Sequence, residues 1–343
     1  MAQEPMKLRW LIAHQPAHLF IRTAEAFAAE LEKELPGKFE IEIMNMAQYI
    51  ERYGDIPELS YQPGRLENIE SPLKNNNKWV SVEWADIKNK WNAFFQGLRD
   101  TKIHLSQTQI TVIGGYLDRR MATLDLPFLF KNHDHVTATL DGKIGDELCE
   151  RLASKTNVRG LAFTYSGGYR IVGSNHPINS LEELKQVPIT TVPLTEKFFD
   201  HFSSKSTSRL NQKLDDTAEQ VAQGGAIETT YLRFDGKNIL KTNHSMFLTS
   251  ILVGGPFFDS LSSEYQEVFK KAAKAVAKLE RQWSLEDAET YETNALEKGI
   301  KIVEVSEAET EKMKKTIPDH YNKVFEEIEG SKDLVYKIKS TAI

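Results

Sequence analysis

Apolar residues recur along this chain at the two spacings that distinguish strands from helices. The apolar segment 8–13 is strand-like, and 39–44 alternates as a half-buried strand does. Apolar residues at helical spacing over 18–35 predict a helix between them. The chain therefore begins with a β–α–β unit. From 263 to 295 no glycine or proline interrupts a helical pattern, which predicts one helix of unusual length.

The same two spacings, together with the turn residues between them, predict the remaining elements. A Gly-Gly pair at 167–168 is expected to break the chain between two strands, and a Ser- and Lys-rich turn is expected over 203–208. Helices are predicted over 82–98, 136–155, 196–202, 216–223, 306–329 and 333–339, with a short helix capped by Ser180, and strands over 102–106, 160–165, 169–173, 187–192, 210–214, 226–231, 246–253 and 301–305.

Residues 46–80 follow neither spacing. They contain three prolines, at 57, 63 and 72, and a run of three asparagines over 75–77. Irregular segments of this length inside a domain are uncommon and are usually functional or mobile. We therefore interpret 46–80 as an insertion.

Alternating strands and helices indicate an α/β protein, and 343 residues suit two domains better than one. We expect two lobes with a ligand cleft between them and the long helix bracing both. Lobe I is expected to comprise 1–167, about 247–285 and 315–343, with 46–80 as its insertion. Lobe II is expected to comprise about 168–246 and 286–314.

Composition excludes several classes of protein. Forty-three Lys and Arg against 49 Asp and Glu give a formal charge of −6, so the chain lacks the basic character of a nucleic-acid-binding protein. It has no apolar stretch of the roughly 18–20 residues that a transmembrane helix needs. The single cysteine, Cys149, excludes an internal disulfide and a cysteine-based zinc site. No export signal precedes the first strand, so either the protein is cytoplasmic or its signal has been removed.

Motifs that carry catalytic chemistry are missing from the sequence. No phosphate-binding glycine loop, GxSxG elbow, HExxH helix or Cys/His nucleophile pair occurs, so an enzyme is disfavoured. His133 and His135 are two residues apart at a helix start, which points their rings in different directions, and we expect no metal site and no cofactor. Gln107 and Gln109 share one face if the preceding strand continues through them, where they either line a cleft or are solvated.

Several stretches, taken in order, carry a resemblance to a known family. They are Leu-Asp-Leu-Pro-Phe-Leu-Phe (124–130), Leu-Asp-Gly (140–142), Arg-Gly-Leu-Ala-Phe (159–163), Gly-Gly-Tyr-Arg (167–170), the segment 174–185, Thr-Asn-His (242–244), and the helix from Leu261 through Leu-Glu-Arg-Gln-Trp (279–283). In this order and at these distances the chain resembles the solute-binding subunits of TRAP transporters, of the dicarboxylate type. The resemblance covers most of 7–330 and leaves 46–80 without a counterpart.

The resemblance implies a periplasmic-binding-protein-like fold and a role in transport. A protein of this kind works outside the cytoplasm, in the periplasm, with its signal peptide removed. It captures a small solute, usually an organic acid, by hinge closure of two lobes and delivers it to the permease subunits in the membrane. A protein in this role is expected to bind no nucleic acid and to have no transmembrane segment of its own.

The resemblance also indicates where a solute would be bound. Members of the family bind a carboxylate of the solute with an arginine in one strand. In this sequence the corresponding strand reads Ile-Thr-Thr-Val-Pro (189–193), so Thr191 stands close to where that arginine is expected. A second family arginine corresponds to Arg170, which either faces the solute or is a buried arginine paired with a local carboxylate.

Other matched positions add acidic and polar groups to the expected site. They suit a neutral polar solute, a zwitterion or an amine better than a plain dicarboxylate. The alternative for Asp215 is a helix cap, and for His14 a histidine of the core or rim. The full set of expected solute-binding residues is His14, Gln107, Gln109, Arg170, Thr191, Asp215, Glu228 and Tyr231.

Two other functions remain open at the level of sequence. One is a ligand sensor or partner module of the same fold that is not coupled to transport. The other is a cytoplasmic α/β enzyme, which only the missing export signal favours. Permease genes beside this one would favour transport, and turnover of a candidate metabolite would favour the enzyme.

Overall fold

The computed structural model describes residues 4–13, 17–59, 62–63, 82–83, 87–174, 177–208, 222–225 and 238–343. Within these ranges the strands are β1 (Met6–Ile12), β2 (Phe39–Asn45), β3 (Gln62–Pro63), β4 (Val82–Glu83), β5 (Leu105–Gln109), β6 (Val158–Tyr169), β7 (Ile171–Ser174), β8 (Pro188–Thr191), β9 (Lys205–Ser208), β10 (Ala222–Gly225), β11 (Asn238–Lys241), β12 (Met246–Gly254) and β13 (Lys301–Glu304).

Helices occupy most of the rest of the described chain. A 3₁₀ helix spans Arg119–Asp125. The α-helices are α1 (Ala17–Glu34), α2 (Met46–Arg52), α3 (Ile87–Arg99), α4 (Ile110–Tyr116), α5 (His133–Leu140), α6 (Lys143–Thr156), α7 (Leu181–Leu184), α8 (Pro193–Phe199), α9 (Gly255–Ser260), α10 (Ser263–Glu297), α11 (Glu307–Lys315), α12 (Ile317–Glu327) and α13 (Ser331–Lys339).

The chain divides into two compact units, and both mix helices with strands, which confirms the α/β class. Unit 1 comprises Met1–Val112, Leu140–Thr164 and Thr249–Trp283. Unit 2 comprises Ile113–Thr139, Tyr165–Leu248 and Ser284–Ile343. The predicted long helix is confirmed as α10, which is 35 residues long and contributes residues to both units.

Unit 1 is built on a sheet with the strand order β2-β1-β5-β12-β6. β1 is parallel to β2 and to β5, whereas β12 is antiparallel to β5. Apolar faces of α1 and α10 cover this sheet, and aromatic rings connect the layers. The ring centroid of Phe27 lies 5.3 Å from that of Trp10 and 5.6 Å from that of Phe269. These rings belong to the buried core that holds the unit together.

Unit 2 is built on a sheet with the strand order β13-β11-β7-β10-β8-β9. Its central strand β10 is antiparallel to β7 and parallel to β8, and β8 is in turn parallel to β9. β11 pairs in parallel with β13 at the other edge. The C-terminal part of α10 contributes Tyr291 and Ala295 to a small core with Ile171, Ile239 and Ile300.

Unit 2 contains two segments that the sequence placed in lobe I. These are residues 113–139 and 315–343, which belong to one unit with β7–β11. Side-chain hydrogen bonds tie the two segments together. Nε2 of His135 lies 2.9 Å from the carbonyl oxygen of Ile338, and the Tyr321 hydroxyl donates to the carbonyl oxygen of Pro127 at 2.7 Å. Contacts between residues about 200 positions apart leave no periodic signal in sequence.

Part of the predicted insertion belongs to the core of unit 1. Met46–Arg52 is a helix that begins with a capping box between Asn45 and Gln48, where irregular chain was expected. The hydroxyl of buried Tyr49 donates to Asp55 at 2.6 Å, and Nη1 of Arg9 in β1 donates to the same carboxylate at 2.9 Å. Most of the remainder, 60–61 and 64–80, lies outside the described residues.

Some predicted boundaries were wrong for local reasons. The helix predicted over 82–98 begins only at 87, and the helices predicted over 136–155 and 306–329 are each divided in two. The first of these is interrupted at Asp141-Gly142, and the second at Thr316 before Pro318, since a proline favours the first turn of a new helix. The expected turn at 203–208 contains β9, and the Gly-Gly pair lies within β6. The predictions over 210–214 and 226–231 and most of 216–223 lie outside the described residues.

Candidate functional site

Gln107 and Gln109 lie at the end of β5 in unit 1. The strand runs to Gln109, so the two side chains share a face as predicted. Gln107 is buried, with 1% of its surface exposed, and it is therefore not one of the solvated amides that the sequence left open. Gln109 is only half-buried.

The Gln107 amide is the centre of a buried polar cluster. Its Nε2 lies 2.9 Å from Oγ1 of Thr164, 3.2 Å from Oγ1 of Thr249 and 3.0 Å from Oε1 of Glu280. The two threonine hydroxyls are 2.5 Å apart, and all four residues are buried. Sequence reasoning found Gln107 but missed its partners, because they lie on three other elements.

Arg170 is buried in unit 2 and paired with a carboxylate. Its Nη2 lies 3.4 Å from Oδ1 of Asp125, and only 1% and 2% of the two side chains are exposed. The guanidinium carbon also lies 3.8 Å from the ring centroid of Phe247. Burial lowers the pKa of Arg170, and the charge of Asp125 opposes that shift. Of the two alternatives for Arg170, the geometry matches the buried arginine paired with a local carboxylate.

His244 lies near this pair and is also buried. Its Nδ1 is 2.8 Å from the hydroxyl of Thr242, and its ring packs edge-on against Phe199. Burial, and to a lesser extent the charge of Arg170, lower the pKa of His244 to about 3. The histidine is therefore neutral at ordinary pH.

Three of the stretches that carried the family resemblance meet around these residues. The backbone N–H of Phe128 donates to the carbonyl oxygen of His244 at 2.7 Å, and that of Arg170 donates to the carbonyl oxygen of Ser245 at 2.8 Å. Phe128 adopts a left-handed backbone with φ of 53°, a strained conformation for a non-glycine residue. The stretches 124–130, 167–170 and 242–244 thus form one framework within unit 2.

Three other stretches of the resemblance meet in unit 1. Arg281 in α10 makes a two-pronged ion pair with Asp141, with N–O distances of 3.0 and 2.5 Å. The same guanidinium donates to the carbonyl oxygen of Phe163 at 2.8 Å. The guanidinium geometry suits this arrangement, which a lysine would not reproduce. These contacts therefore hold β6, α10 and the α5–α6 junction together, and they come from the stretches 140–142, 159–163 and 279–283.

Thr191 is the last residue of β8 and is fully buried. Its hydroxyl lies 2.5 Å from that of Thr195, which is itself 3.1 Å from the carbonyl oxygen of Val192. Pro193 begins helix α8 directly after the strand. The position where the family resemblance led us to expect an arginine is thus occupied by a buried pair of hydroxyl groups.

Half of the expected solute-binding residues, namely His14, Asp215, Glu228 and Tyr231, lie outside the described residues. Of the four that are described, Gln107 and Gln109 belong to unit 1, and Arg170 and Thr191 belong to unit 2.

In the part of the chain that the structure describes, no group of three or more His, Cys, Asp or Glu side chains is placed to hold a metal ion. His133 and His135 have different partners, the Tyr165 hydroxyl and the Ile338 carbonyl oxygen, as their spacing predicted. None of the described helices is both long and apolar enough to cross a membrane.

Comparison with known families identifies the family to which this chain belongs. The sequence model of the family described as bacterial extracellular solute-binding protein, family 7, matches residues 90–214 and 216–328, which is most of the chain. The chain belongs to this family. It is therefore a solute-binding protein, and the resemblance to the TRAP-type, dicarboxylate-type proteins is confirmed.

Relatives of this family-7 protein have similar sequences over much of its length. An uncharacterised protein of Haemophilus influenzae is 24% identical over 294 residues, which is 78% of this chain and 88% of the relative. The 2,3-diketo-L-gulonate-binding periplasmic protein YiaO of Escherichia coli is 26% identical over 219 residues, which is 62% of this chain and 66% of the relative.

Solved structures of TRAP periplasmic solute-binding proteins share the fold. One from Haemophilus influenzae with bound L-gulonate has a TM-score of 0.74 at 17% identity, covering 98% of this chain and all of its own. One from Xanthobacter autotrophicus with bound β-D-galacturonate has a TM-score of 0.73 at 19% identity, with the same coverage of 98% and 100%. At these identities the likeness shows the fold, and the family-7 chain has the periplasmic-binding-protein-like fold that was expected.

Proposed function

We propose that this protein is the periplasmic solute-binding subunit of a TRAP-type transporter, which captures a small polar solute and delivers it to the permease subunits in the membrane. The match of the family model across 90–328 is the observation that carries the proposal. In this role the protein forms and breaks no covalent bond of its solute and needs no cofactor. Export requires a signal peptide that is removed from the mature protein.

The family match is supported by where its motifs lie in the structure. Two ion pairs are built from stretches of the resemblance: Arg170 with Asp125 is buried, and Arg281 with Asp141 is partly buried. Losing one partner of a buried ion pair strongly destabilises the fold, so the Arg170–Asp125 pair fixes the elements that carry it. The two-pronged geometry of Arg281 with Asp141 does the same to a smaller extent. These stretches therefore have a structural role in each unit, which leaves other residues to distinguish one solute from another.

The ligands of the fold relatives suggest the size and polarity of the solute. Related proteins were solved with bound L-gulonate, β-D-galacturonate, D-glucuronate and succinate, all small polar acids. By analogy we propose a metabolite of similar size for this protein. Whether it is an organic acid or a neutral compound depends on residues such as Thr191 and the four candidates outside the described ranges. Capture by hinge closure stays a prediction.

A binding screen tests the proposal. The purified protein is heated with each of a panel of sugar acids, dicarboxylates, sugars, polyols, amino acids and polyamines, and the melting temperature is recorded. A solute present at 100 times its Kd stabilises the folded state by about 2.7 kcal/mol, which raises the melting temperature measurably. Isothermal titration then gives the affinity. A panel without a single binder, or a solute that is chemically converted on incubation, would contradict the proposal.

The transport partner is tested separately. Proteoliposomes that contain the permease subunits of the same transporter should take up the identified solute only when this protein is added outside. A binding protein of the family from another transporter is the matched control. Tight binding of the solute without any dependence of uptake on the protein would indicate a sensor and not a transport subunit.

A further inference from the structure

The ring of Phe198 in unit 2 lies between two buried histidines. Phe198 belongs to α8, and its ring centroid is 6.3 Å from that of His244, between β11 and β12, and 6.0 Å from that of His320 in α12. At most 3% of each of these three side chains is exposed. Two ionisable groups therefore pack against one short helix inside unit 2.

One ring nitrogen sets these two histidines apart from His135, which is also buried in unit 2. Nε2 of His244 and of His320 is buried without a hydrogen-bond partner among the described residues. In His135, by contrast, one ring nitrogen accepts from the N–H of Lys131 and the other lies 2.9 Å from the carbonyl oxygen of Ile338. A protonated imidazole has two N–H donors, so the charged form of His244 or His320 would leave one N–H buried without an acceptor, which is costly.

The charged groups beside His244 favour its neutral form. Burial lowers the pKa of this histidine to about 3, and the charge of Arg170 adds to the shift. The carboxylate of Asp125 does not compensate, because it is paired with Arg170. A proton on His244 would therefore place a second positive charge close to a buried cation.

The surroundings of His320 have the same effect. Burial lowers the pKa of His320 to about 4, although a hydrogen bond with the backbone of Leu194 opposes this shift. The groups whose charges add to the shift are His201, Lys323 and Lys197. The carboxylate of Glu327 also acts on His320, but it is paired with Lys197 and Arg119. Both rings are thus neutral in the folded unit at ordinary pH.

We propose that His244 and His320 form an acid-sensitive switch in unit 2, in which their protonation releases α8 from the unit while unit 1 stays folded. Once α8 has moved away, both imidazoles reach water and take up the protons that the closed unit excludes. His244 also contributes its carbonyl oxygen to the framework of 124–130, 167–170 and 242–244, so the open state loses that framework. Acidity thereby controls whether unit 2 is intact.

Proton linkage gives the direction and the size of the effect. The opened state has the ordinary histidine pKa of 6.5, so each neutral histidine stabilises the closed unit fully above pH 6.5 and progressively less as the pH falls towards its lowered pKa. Between pH 7 and pH 5 the opening constant should rise about 20- to 25-fold for each histidine and about 500-fold for the two together. Glu327 stays ionised over this range, because its hydrogen bond with Lys197 lowers its pKa from 4.5.

Hydrogen exchange measured by mass spectrometry tests the switch in the full chain. The slowest amides of peptides covering 193–202 report on α8 in unit 2, and those of peptides covering 17–34 report on α1 in unit 1. Protection factors are compared at pH 7 and pH 5, because they correct for the pH dependence of chemical exchange. The variants are His244→Gln, His320→Gln and the double variant. His104→Gln is the matched control, since His104 in unit 1 also has a pKa that burial lowers, to about 4.

The expected result is that the protection of α8 in the wild type falls about 500-fold from pH 7 to pH 5. The fall should be only about 20-fold in each single variant and less than about fivefold in the double variant. α1 should lose much less protection than α8, and His104→Gln should leave the fall in α8 unchanged.

Three results would overturn the inference. They are an equal loss of protection in α8 and α1, a loss in wild-type α8 of less than about tenfold, and a smaller loss in α8 of His104→Gln, which would mean that the whole chain opens at once. If a glutamine variant does not fold at pH 7, the comparison of α8 with α1 in the wild type still decides.

Discussion

The buried pair of Arg170 and Asp125 should dominate the stability of unit 2. Replacing Arg170 by methionine keeps much of the side-chain volume but leaves the Asp125 carboxylate buried without its cation, at 2% exposure. Breaking one side of a buried ion pair costs about 3–5 kcal/mol. We therefore expect Arg170→Met to lower the free energy of unfolding by about that amount.

An exposed ion pair provides the control for burial. Lys185 and Glu182 are 3.0 Å apart, closer than the 3.4 Å of the buried pair, but 46% and 76% of their side chains are exposed. Exposed pairs contribute about 0–1 kcal/mol because water and salt screen them. Lys185→Met should therefore change the free energy of unfolding by less than about 1 kcal/mol, although its ion pair is shorter.

Two spectroscopic signals show which unit loses stability in Arg170→Met. The three tryptophans that the structure describes, Trp10, Trp91 and Trp283, all belong to unit 1, so their fluorescence in a urea titration reports on that unit. Far-ultraviolet circular dichroism reports on both units. Arg170→Met should lower the midpoint of the circular-dichroism transition at least as much as that of the fluorescence transition.

The double variant Arg170→Met, Asp125→Asn separates a structural role from solute binding. Removing both charges should restore a large part of the lost stability, because no buried charge is then left without a partner. If Arg170 also anchors the solute, the double variant will remain deficient in binding although its stability has recovered. A stability of Arg170→Met within about 1 kcal/mol of the wild type, or a double variant as unstable as the sum of the single ones, would refute the reasoning.

Three further predictions follow from other buried groups. Gln107→Leu should lower the free energy of unfolding by about 1–3 kcal/mol, measured by tryptophan fluorescence, because two hydroxyls and the Glu280 carboxylate lose their amide donor. Gln96→Leu, on the surface, should have little effect and is the control. The folded-state pKa of His244 is about 3, below the ordinary value of 6.5, so the unfolded chain takes up the proton first and stability falls as the pH drops below 6.5. Between pH 7 and pH 5 this histidine should account for about 2 kcal/mol, and His244→Gln should show a correspondingly smaller loss in urea titrations at the two pH values. Gly254→Ala should lower the free energy of unfolding by about 1–3 kcal/mol, because its Cβ would lie 2.2 Å from the carbonyl oxygen of Leu98. Gly160→Ala should lower it less in the same assay, because its Cβ would lie 3.1 Å from Sγ of Cys149.

Local pattern was sufficient to predict the elements with strong periodicity. The opening strand, helix and strand and the 35-residue helix α10 appear where hydrophobic spacing predicted them. The class of fold and the family follow from the order of these elements and from short motifs, which the amino-acid sequence contains directly. Helix breaks were less predictable, because Asp141-Gly142 and Thr316 interrupt patterns that continue on both sides.

The roles of the motif residues were decided by tertiary structure alone. Arg170 had two interpretations in sequence, and only its placement 3.4 Å from Asp125, 45 positions away, favours the buried pair. The assignment of 113–139 and 315–343 to unit 2 likewise depends on contacts such as His135 with Ile338, 203 positions apart. Sequence determines which groups are available, by their spacing and chemistry. Folding determines which of them meet, because burial and the direction of each side chain exist only once distant segments have packed together.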